Sequence, residues 1–533
     1  MKRQKDTTFS TLGRDVRIRI ARPTFGRLAS HLRQDSTREQ FAFGLCSHAE
    51  TADGTVLIVR SLFFPDPKDL AQHSAGGVAP TREFQTVVYS IAAERSLSIL
   101  DIHTHPHQSV PRFSAIDEGQ SAKNARYICD RFPAPITHAM LVLDAKANAH
   151  DSVIYDRSLQ AFRTIDFLEI LGRDTELRPR GRERTANDGA DPQYCRQTML
   201  PGWDQATIGR QKIAIVGAGG NGAQILQSLI CIGAGTAGWI TVIDPDSIEA
   251  SNLPRIPYAY PEHVGSPKVA VAAQYAGRKN PDVKLYPYPC SVTTDAATER
   301  IKGATLLIGA GDGEGVRKVC NDLAVRYQVP YIDLGCDISA DNGKITAGGQ
   351  ARVIVPGSNA CLVCCGGYDP AVAAVELMDD SRKVEHAAQG YVQGHRADAT
   401  PSVANLNATT AQLGMAAFLA LVHGEEFGRW DYAHYDQLTA ETLVARTTRR
   451  DDCPLCGVHG LLAEGDVSPT EESGAAPVMT RVSKPKAGRT PGPDEFAPDS
   501  HVASTATTRR DKVREPQGSG LAIEEGRQEP HSD

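Results

Sequence analysis

The chain has 533 residues and a formal net charge of −7, with 41% hydrophobic and 23% charged residues. This length predicts two or three domains, each with its own core, and the composition is ordinary for a globular protein. The negative charge argues against nucleic acid as a partner. No apolar run approaches the ~20 residues of a membrane span and no signal peptide is visible, so we expect a cytoplasmic protein.

Residues 1–170 form the first predicted domain. Alternating apolar and charged residues predict a strand over 15–20, and a capped, periodic stretch predicts a helix over 24–34. Further strands are predicted over 41–46, 55–64, 97–103 and 140–143, and a second helix over 82–95. The mixture indicates an α/β domain built around a mostly antiparallel sheet.

A zinc-hydrolase pattern lies in this first domain. His103 and His105 are one residue apart at a strand end, so their side chains point to the same face and can reach one metal ion. Asp117 would add an oxygen ligand, which leaves the fourth zinc position to water. Glu39 is the candidate general base, and Ser114 could donate a hydrogen bond to the developing oxyanion. The plain alternative is a solvated His-x-His turn.

The order Glu39, His103-x-His105 and Ser114-x-x-Asp117 resembles the JAMM (MPN-type) metalloproteases over about residues 15–165. The resemblance implies zinc-dependent hydrolysis of peptide or isopeptide bonds after ubiquitin-like proteins. The spacing between the second histidine and the serine is one residue longer than is usual in that family. Glu50 is an alternative base, and His107 is interpreted as a loop residue.

A charged, glycine-rich stretch over 171–190 has the composition of a linker. The second predicted domain, 191–462, alternates short apolar runs with helical patterns, which indicates a Rossmann-like, doubly wound parallel sheet. Its strands are predicted over 212–216, 239–244, 284–288, 305–309 and 330–334, and its helices over 223–232, 268–278 and 315–327. Residues 463–533 are rich in Pro, Gly, Ser, Thr, Glu and Arg and predict a disordered tail.

The second domain opens with a glycine-rich turn between a strand and a helix, a place where phosphate binds. The glycines are Gly217, Gly219, Gly220 and Gly222. Asp244, at a later strand end, could hold ribose hydroxyls, and these features alone suit NAD equally well. The polar residues that follow distinguish an adenylating enzyme: Asp246, Ser251, Asn252, Arg255, Lys268 and Asp312. Arg255 and Lys268 would bind the ATP phosphates, and Asp312 would bind Mg²⁺.

This block resembles the ThiF/MoeB/ubiquitin-activating adenylyltransferases over about residues 191–460. Gln193-Tyr194-Cys195-Arg196-Gln197 is similar to the entry motif of that family. The resemblance implies that Arg196 reaches the ATP phosphates of a partner subunit, and therefore a homodimer. The plain alternative for each of these basic residues is surface charge.

Two Cys-x-x-Cys pairs predict a closed, structural zinc site with four thiolates: Cys361, Cys364, Cys453 and Cys456. Reduced core cysteines are the alternative. No cysteine lies between Cys365 and Cys453, where the family places its thioester thiol, and Cys195, Cys336 and Cys365 are the spare candidates. Direct transfer from an acyl-adenylate is thus at least as well supported as a thioester relay.

Taken together, the two patterns predict a bifunctional enzyme of a bacterial-type ubiquitin-like system. The first domain would process or remove a modifier ending in Gly-Gly, and the second would adenylate its carboxylate with Mg-ATP. One alternative is activation of a sulfur carrier for thiocarboxylate formation. The other is a non-catalytic scaffold that only docks the modifier. A conjugating enzyme or a sulfurtransferase would be the further partner.

Overall fold

The computed structural model describes residues 15–181, 191–341, 343–378 and 401–467. The N-terminal half contains three helices and eleven strands in the described ranges. They are β1 (Asp15–Ala21), α1 (Arg22–Leu32), β2 (Phe41–Glu50), β3 (Gly54–Phe63), β4 (Leu70–Ser74), β5 (Gly77–Pro80), α2 (Arg82–Glu94), β6 (Ser98–His105), α3 (Ala115–Arg131), β7 (His138–Asp144), β8 (His150–Asp156), β9 (Ala161–Thr164), β10 (Phe167–Leu171) and β11 (Glu176–Pro179).

The C-terminal half alternates strands and helices before it ends in antiparallel strands. Its elements are α4 (Gln205–Arg210), β12 (Lys212–Val216), α5 (Gly220–Cys231), β13 (Trp239–Ile243), α6 (Lys268–Lys279), β14 (Leu285–Tyr288), α7 (Asp295–Gly303), β15 (Leu306–Gly309), α8 (Glu314–Arg326), β16 (Tyr331–Asp341), β17 (Lys344–Ile354), α9 (Pro370–Glu376), α10 (Ala404–His423), β18 (Tyr432–Asp436) and β19 (Thr442–Ala445).

The N-terminal sheet has nine strands in the order β11-β10-β1-β3-β2-β6-β7-β8-β9. Antiparallel pairings outnumber parallel ones, and the parallel pairs are β1–β10, β1–β3 and β6–β7. Helix α1 covers one part of the sheet with Phe25, Leu28 and Leu32, which are buried. Strand β6 lies inside the sheet between β2 and β7, so the residues that it carries are held on both sides.

The C-terminal sheet has the order β14-β13-β12-β15-β16-β17-β18-β19. Strands β12 to β16 are parallel, and β17 to β19 extend the sheet with antiparallel strands that the sequence did not predict. The chain leaves β12 toward β13 and later returns on its other side at β15. Such a change of direction opens a crevice at the carboxyl ends of the strands, where ligands bind in sheets of this kind.

The segment 171–190, predicted as a linker, is different in the structure. Strand β10 ends at Leu171 and β11 follows it as the edge of the N-terminal sheet. Thr175 donates its backbone N–H to Leu421 of the other half. Residues 171–181 are therefore part of the fold, whereas 182–190 lie outside the described residues. Polar composition suggested a linker here because an edge strand also carries charged side chains.

The two halves are joined through buried ionic contacts. Arg17 and Arg19 of β1 are 1% and 0% exposed, and both pair with Glu169 of β10 at 2.7 and 2.9 Å. Arg17 Nη1 also donates to the carbonyl of Gly303 in the C-terminal half. Arg19 Nη1 and Nη2 donate to carbonyls of the same half, at Lys302, Tyr327 and Ala304. These contacts make one compact unit of the two predicted domains.

The segment after the last cysteine pair also bridges the halves. Ser47 donates its hydroxyl to the carbonyl of Ala463 at 2.6 Å. Asp466 lies 2.7 Å from Lys302 and accepts hydrogen bonds from the N–H of Glu50 and the hydroxyl of Tyr327. The tail predicted for 463–533 therefore starts with residues that are in contact with the fold, and 468–533 lie outside the described residues. In the part of the chain that the structure describes, no helix is both long and apolar enough to cross a membrane.

Candidate functional sites

The predicted zinc ligands of the N-terminal half lie together. His103 and His105 point from the end of β6, and Asp117 lies in the first turn of α3. The Asp117 carboxylate is 3.8 Å from His103 Nε2 and 3.5 Å from His105 Nε2. The three potential ligand atoms lie within 4.8 Å of one another. Glu39 Oε1, from the residues just before β2, is 3.9 Å from His105 Nε2.

The first turn of α3 fixes the orientation of the Asp117 side chain. Ser114 and Asp117 form a capping box, in which Asp117 N–H donates to Ser114 Oγ and Ser114 N–H donates to Asp117 Oδ2. Such a box satisfies free N–H groups at the helix start and fixes both side chains. One carboxylate oxygen of Asp117 is therefore held by the backbone, and the Ser114 hydroxyl is fixed beside it.

The electrostatics of this cluster fit a divalent cation. Burial lowers the pKa of His103 to about 4, so its ring is neutral at pH 7, and its Nε2 has no hydrogen-bond partner among the described residues. Burial opposes ionisation of Asp117, but His105, His103 and Ser114 lower its pKa overall. Burial raises the pKa of Glu39, as suits a proton acceptor. Two imidazole nitrogens and one carboxylate form the donor set of a catalytic zinc site.

The cluster opens into a cavity of about 610 Å³. Its wall includes Glu39, His103, His105, Ser114 and Asp117, together with His107 and part of the β4–β5 hairpin. Glu50, the alternative base, lies exposed at the end of β2 and accepts a hydrogen bond from Thr55. It does not line this cavity.

The glycine-rich turn of the C-terminal half is shaped by close backbone approach. Gly217 has φ +96°, and a Cβ on Gly222 would lie 1.9 Å from the carbonyl oxygen of Gly217. Helix α5 starts at Gly220, after Gly219 as its N-cap. The first N–H groups of a helix lack partners within it and favour anions. The turn can therefore hold a phosphate group at the carboxyl edge of β12.

Asp244 connects this turn to the basic side chain of α6. It accepts the N–H of Ala218 at 2.6 Å and the N–H of Asp246 at 2.8 Å. Lys268 Nζ lies 2.7 Å from Asp246 Oδ2 and 3.9 Å from Asp244 Oδ1. Lys268 is 9% exposed, so its ammonium group is held in a fixed place beside the turn. Burial raises the pKa of Asp244.

The remaining predicted nucleotide ligands differ in surroundings. Asn252 is buried and accepts the N–H of Glu249, and Ser251 donates to the Glu249 carboxylate, so both hold a turn between β13 and α6. Arg255 is half-buried, and its Nε has no hydrogen-bond partner within the described ranges. Asp312 is exposed between β15 and α8.

Arg196 lies exposed just before the short 3-10 turn Gln197–Met199. Its proposed contact with a second subunit stays a prediction, because the structure contains one chain.

The four cysteines of the two Cys-x-x-Cys pairs come together. Cys361 Sγ is 3.8 Å from Cys364 Sγ and 3.7 Å from Cys453 Sγ, and Cys364 Sγ is 3.4 Å from Cys456 Sγ. Four sulfurs around one zinc at ~2.3 Å lie about 3.8 Å apart. Three of the thiols are buried, so the set fits a closed structural site that ties the end of the described chain to the residues after β17.

Helix α10 also contributes to the nucleotide turn, through a residue that the sequence did not predict. Asn407 of α10 donates to Asn221 Oδ1 at 3.0 Å, and a Cβ on Gly220 would meet its side chain at 2.4 Å. Asn407 Nδ2 is also 3.1 Å from Cys336 Sγ. A lone asparagine 186 positions away from the motif gives no local signal of this contact.

A second cavity of about 450 Å³ begins at Cys336. Glycines from β16 and β17 form part of its wall (Gly335, Gly348 and Gly349), with Arg317, Gln350 and His434 around them. Narrow glycine-lined space suits an extended chain with small side chains. The cavity lies next to the nucleotide turn, because Cys336 Sγ is 3.6 Å from Asn221 Oδ1.

Comparison with known proteins gives matches to the C-terminal half. Residues 194–456 match the model of the ThiF family. A sulfur carrier protein adenylyltransferase of Thermus thermophilus is 35% identical over 142 residues, 26% of this chain and 51% of the relative. The SAMP-activating enzyme E1 of Haloferax volcanii is 28% identical over 269 residues, 50% of this chain and 88% of the relative. A molybdopterin-synthase adenylyltransferase of Salmonella typhimurium is 27% identical over 270 residues, which cover 50% of this chain and 95% of the relative.

The chain spans about half the length of the first of these relatives. The His103, His105 and Asp117 cluster lies outside the residues that the family model matches.

Proposed function

We propose that this chain, in which residues 194–456 form a ThiF-family domain, uses ATP to adenylate the C-terminal carboxylate of a small sulfur-carrier or ubiquitin-like protein. The observation that carries the proposal is the fixed group around the glycine turn. Asp244 accepts a backbone N–H of that turn, and Lys268 is held beside it. The names of the three relatives describe the same class of reaction.

Each residue of this group has a role that follows from its chemistry. The free N–H groups at the start of α5 would hold a phosphate, and Asp244 would hold the ribose hydroxyls. Lys268 and Arg255 would offset the negative charge that develops on the α-phosphate and the leaving pyrophosphate. Asp312 would hold Mg²⁺, which neutralises phosphate charge when it is bound.

The acceptor tail would approach from the glycine-lined cavity. An extended Gly-Gly end needs little width, and Gly335, Gly348 and Gly349 leave that space beside the nucleotide turn. Arg317 lies on the same wall, where its guanidinium pairs with Glu314 at 2.9 Å and lies 3.5 Å from Asp333. Attack of the tail carboxylate on the α-phosphate would form the acyl-adenylate and release pyrophosphate.

We favour a sulfur carrier as the substrate over a modifier passed through a thioester. Burial raises the pKa of Cys336, and burial also raises the pKa of Cys365, so neither thiol is readily ionised. A thiolate is the nucleophile in thioester formation. These pKa shifts favour direct transfer of the activated acyl group to an external sulfur donor.

The test is exchange of labelled pyrophosphate into ATP, with full-length protein and a small carrier protein that ends in Gly-Gly. We expect exchange that depends on the carrier. Lys268→Ala should lower the rate by about 10²-fold or more, the usual effect of losing one group that stabilises transition-state charge. Lys279→Ala, an exposed lysine on the same helix, is the matched control. Equal rates in the two variants would remove Lys268 from this role.

A second activity is supported by the His103, His105 and Asp117 cluster with Glu39 beside it. We propose a zinc-dependent amide hydrolase of the JAMM type that acts on the same carrier tail. Zinc, when bound, would polarise the scissile carbonyl and activate water. Glu39 would accept a proton from that water, and the Ser114 hydroxyl would donate to the developing oxyanion.

Metal content and cleavage test this second activity together. Glu39→Gln should keep zinc and lose cleavage of a carrier extended beyond Gly-Gly, because Glu39 is a proton acceptor and not a ligand. His105→Ala should lose both the zinc and the cleavage. Retained cleavage in Glu39→Gln would contradict the assignment of the base.

A further inference from the structure

Strand β6 carries a third polar residue into the zinc-site cavity. Residues 101, 103 and 105 lie on one face of the strand, and Asp101 lines the same cavity as His103 and His105. Its neighbours across the sheet are apolar: Phe43 on β2 and Met140 on β7, which also line the cavity. A single carboxylate therefore stands on an otherwise apolar floor.

Asp101 lies against a buried histidine. His138 Nε2 is 2.9 Å from Asp101 Oδ2, a close polar contact without the direction of a hydrogen bond, and His138 has no exposed surface. Asp101 itself is 9% exposed, and its other oxygen, Oδ1, has no hydrogen-bond partner among the described residues. A buried, unsatisfied acceptor is destabilising, and in a cavity wall a water or a donor on a bound ligand can satisfy it.

Asp101 lies within reach of a bond cleaved at the predicted zinc ligands. Same-face residues on a strand are about 6.6 Å apart, so Asp101 is one such step along β6 from His103. The acyl side of the proposed scissile bond is a Gly-Gly tail, which carries no cationic side chain. A cationic group that pairs with Asp101 therefore belongs to the leaving amine and lies only a few atoms from the scissile nitrogen.

We propose that Asp101 selects a compact leaving group that carries an ammonium group, with His138 as the residue that positions the carboxylate. The inference rests on the proposed hydrolase and names its substrate class: an amide between a Gly-Gly tail and a small diamine-like or amino-acid-like amine. Hydrolysis breaks the C–N bond, adds hydroxide to the carbonyl carbon and leaves the proton on the released amine. The distal ammonium group pairs with Asp101 throughout.

The test uses two amides of acetyl-Gly-Gly with the full-length, zinc-loaded protein. One has 1,4-diaminobutane as the leaving amine, and the other has n-pentylamine, which replaces the distal ammonium group by methyl. We expect a kcat/KM ratio of about tenfold to a hundredfold in favour of the diamine, the usual effect of a hydrogen bond to a charged group. Asp101→Asn should bring this ratio close to one and leave hydrolysis of the pentyl amide within about threefold.

The ratio separates recognition from general damage, because loss of folding or of zinc lowers both rates together. Asp130→Asn, an exposed aspartate on α3 outside the cavity, is the matched control and should keep the ratio. His138→Gln retains a polar group beside Asp101 and should keep most of the preference, whereas His138→Leu should lose it. An unchanged ratio in Asp101→Asn, or no preference in the unmodified protein, overturns the proposal.

Calorimetric binding of both amides to Glu39→Gln protein gives a reading that does not depend on turnover. Tighter binding of the diamine amide, lost when Asp101→Asn is added to Glu39→Gln, supports the role of Asp101. If neither amide is cleaved by the unmodified protein, this binding result still stands and only the proposed hydrolase activity is contradicted. Equal binding of the two amides overturns the inference while the hydrolase stands if cleavage occurs.

Discussion

Replacing Glu169 by glutamine should weaken the contact between the two halves. Glu169 is 2% exposed and neutralises two arginines that are 1% and 0% exposed. The glutamine keeps the size of the side chain but leaves both guanidinium groups buried without a counter-charge. Breaking a buried pair in this way costs about 3–5 kcal/mol. Because Arg17 and Arg19 also donate to carbonyls of the C-terminal half, this cost falls on the interface.

The assay is urea unfolding followed by tryptophan fluorescence and by calorimetry. Trp239 donates to Asp53 across the two halves at 2.6 Å, so it reports on the same interface. Glu425→Gln is the matched control, since its pair with Arg446 is 53% and 46% exposed and solvent screens the attraction between such surface charges. If Glu169→Gln loses no more stability than Glu425→Gln, the buried ionic contact does not hold the halves together.

Three further predictions concern pH, the glycine turn and zinc. Burial opposes ionisation of Glu169, but Arg17 and Arg19 lower its pKa from 4.5 to about 2. The stability that it contributes is complete above pH 4.5 and is lost as pH falls toward 2, and acid titration of Glu169→Gln should lack this loss. Burial also lowers the pKa of Arg19, yet a guanidinium stays charged over this range, so the response belongs to Glu169. Gly222→Ala should lower the melting temperature and abolish ATP binding, because the added Cβ would lie 1.9 Å from a backbone oxygen. Gly219→Ala should keep the melting temperature, because its added Cβ would have no atom within 4 Å. Equal melting temperatures of the two variants would contradict this prediction. Elemental analysis should find two zinc ions per chain, and Cys453→Ser and His105→Ala should each lose one; a single ion in the unmodified protein would contradict one of the two sites.

The sequence predicted the parallel part of the C-terminal sheet well. Short apolar runs such as 212–216 and 239–244 are buried strands in the structure, as β12 and β13, and helical periodicity marked α6 and α8 between strands. Local signals suffice there because β12, β13 and β15 are buried on both faces and the helices on one. The glycine turn, the His103-x-His105 pair and each Cys-x-x-Cys pair are local patterns too.

Long-range pairing explains what the sequence did not predict. Arg17 and Arg19 alternate with apolar residues in β1, and this local pattern does not show that they are buried. Their burial is compensated by Glu169 and by carbonyls about 150 to 300 positions away. The Asp101–His138 pair is hidden in the same way, between strands that are distant in sequence. Strand β17 contains two adjacent glycines and several polar residues, and β18 and β19 are only five and four residues long, so these strands lacked a clear apolar pattern.

Intact-mass spectrometry of a carrier protein, after incubation with ATP and the full-length chain, detects the proposed acyl-adenylate itself. We expect an AMP adduct on a carrier that ends in Gly-Gly. We expect no adduct when the carrier ends in an amide or when Asp244 is replaced by alanine. An adduct that forms equally on the amidated carrier, or no adduct on any carrier ending in Gly-Gly, would contradict the claim that this domain activates a C-terminal carboxylate.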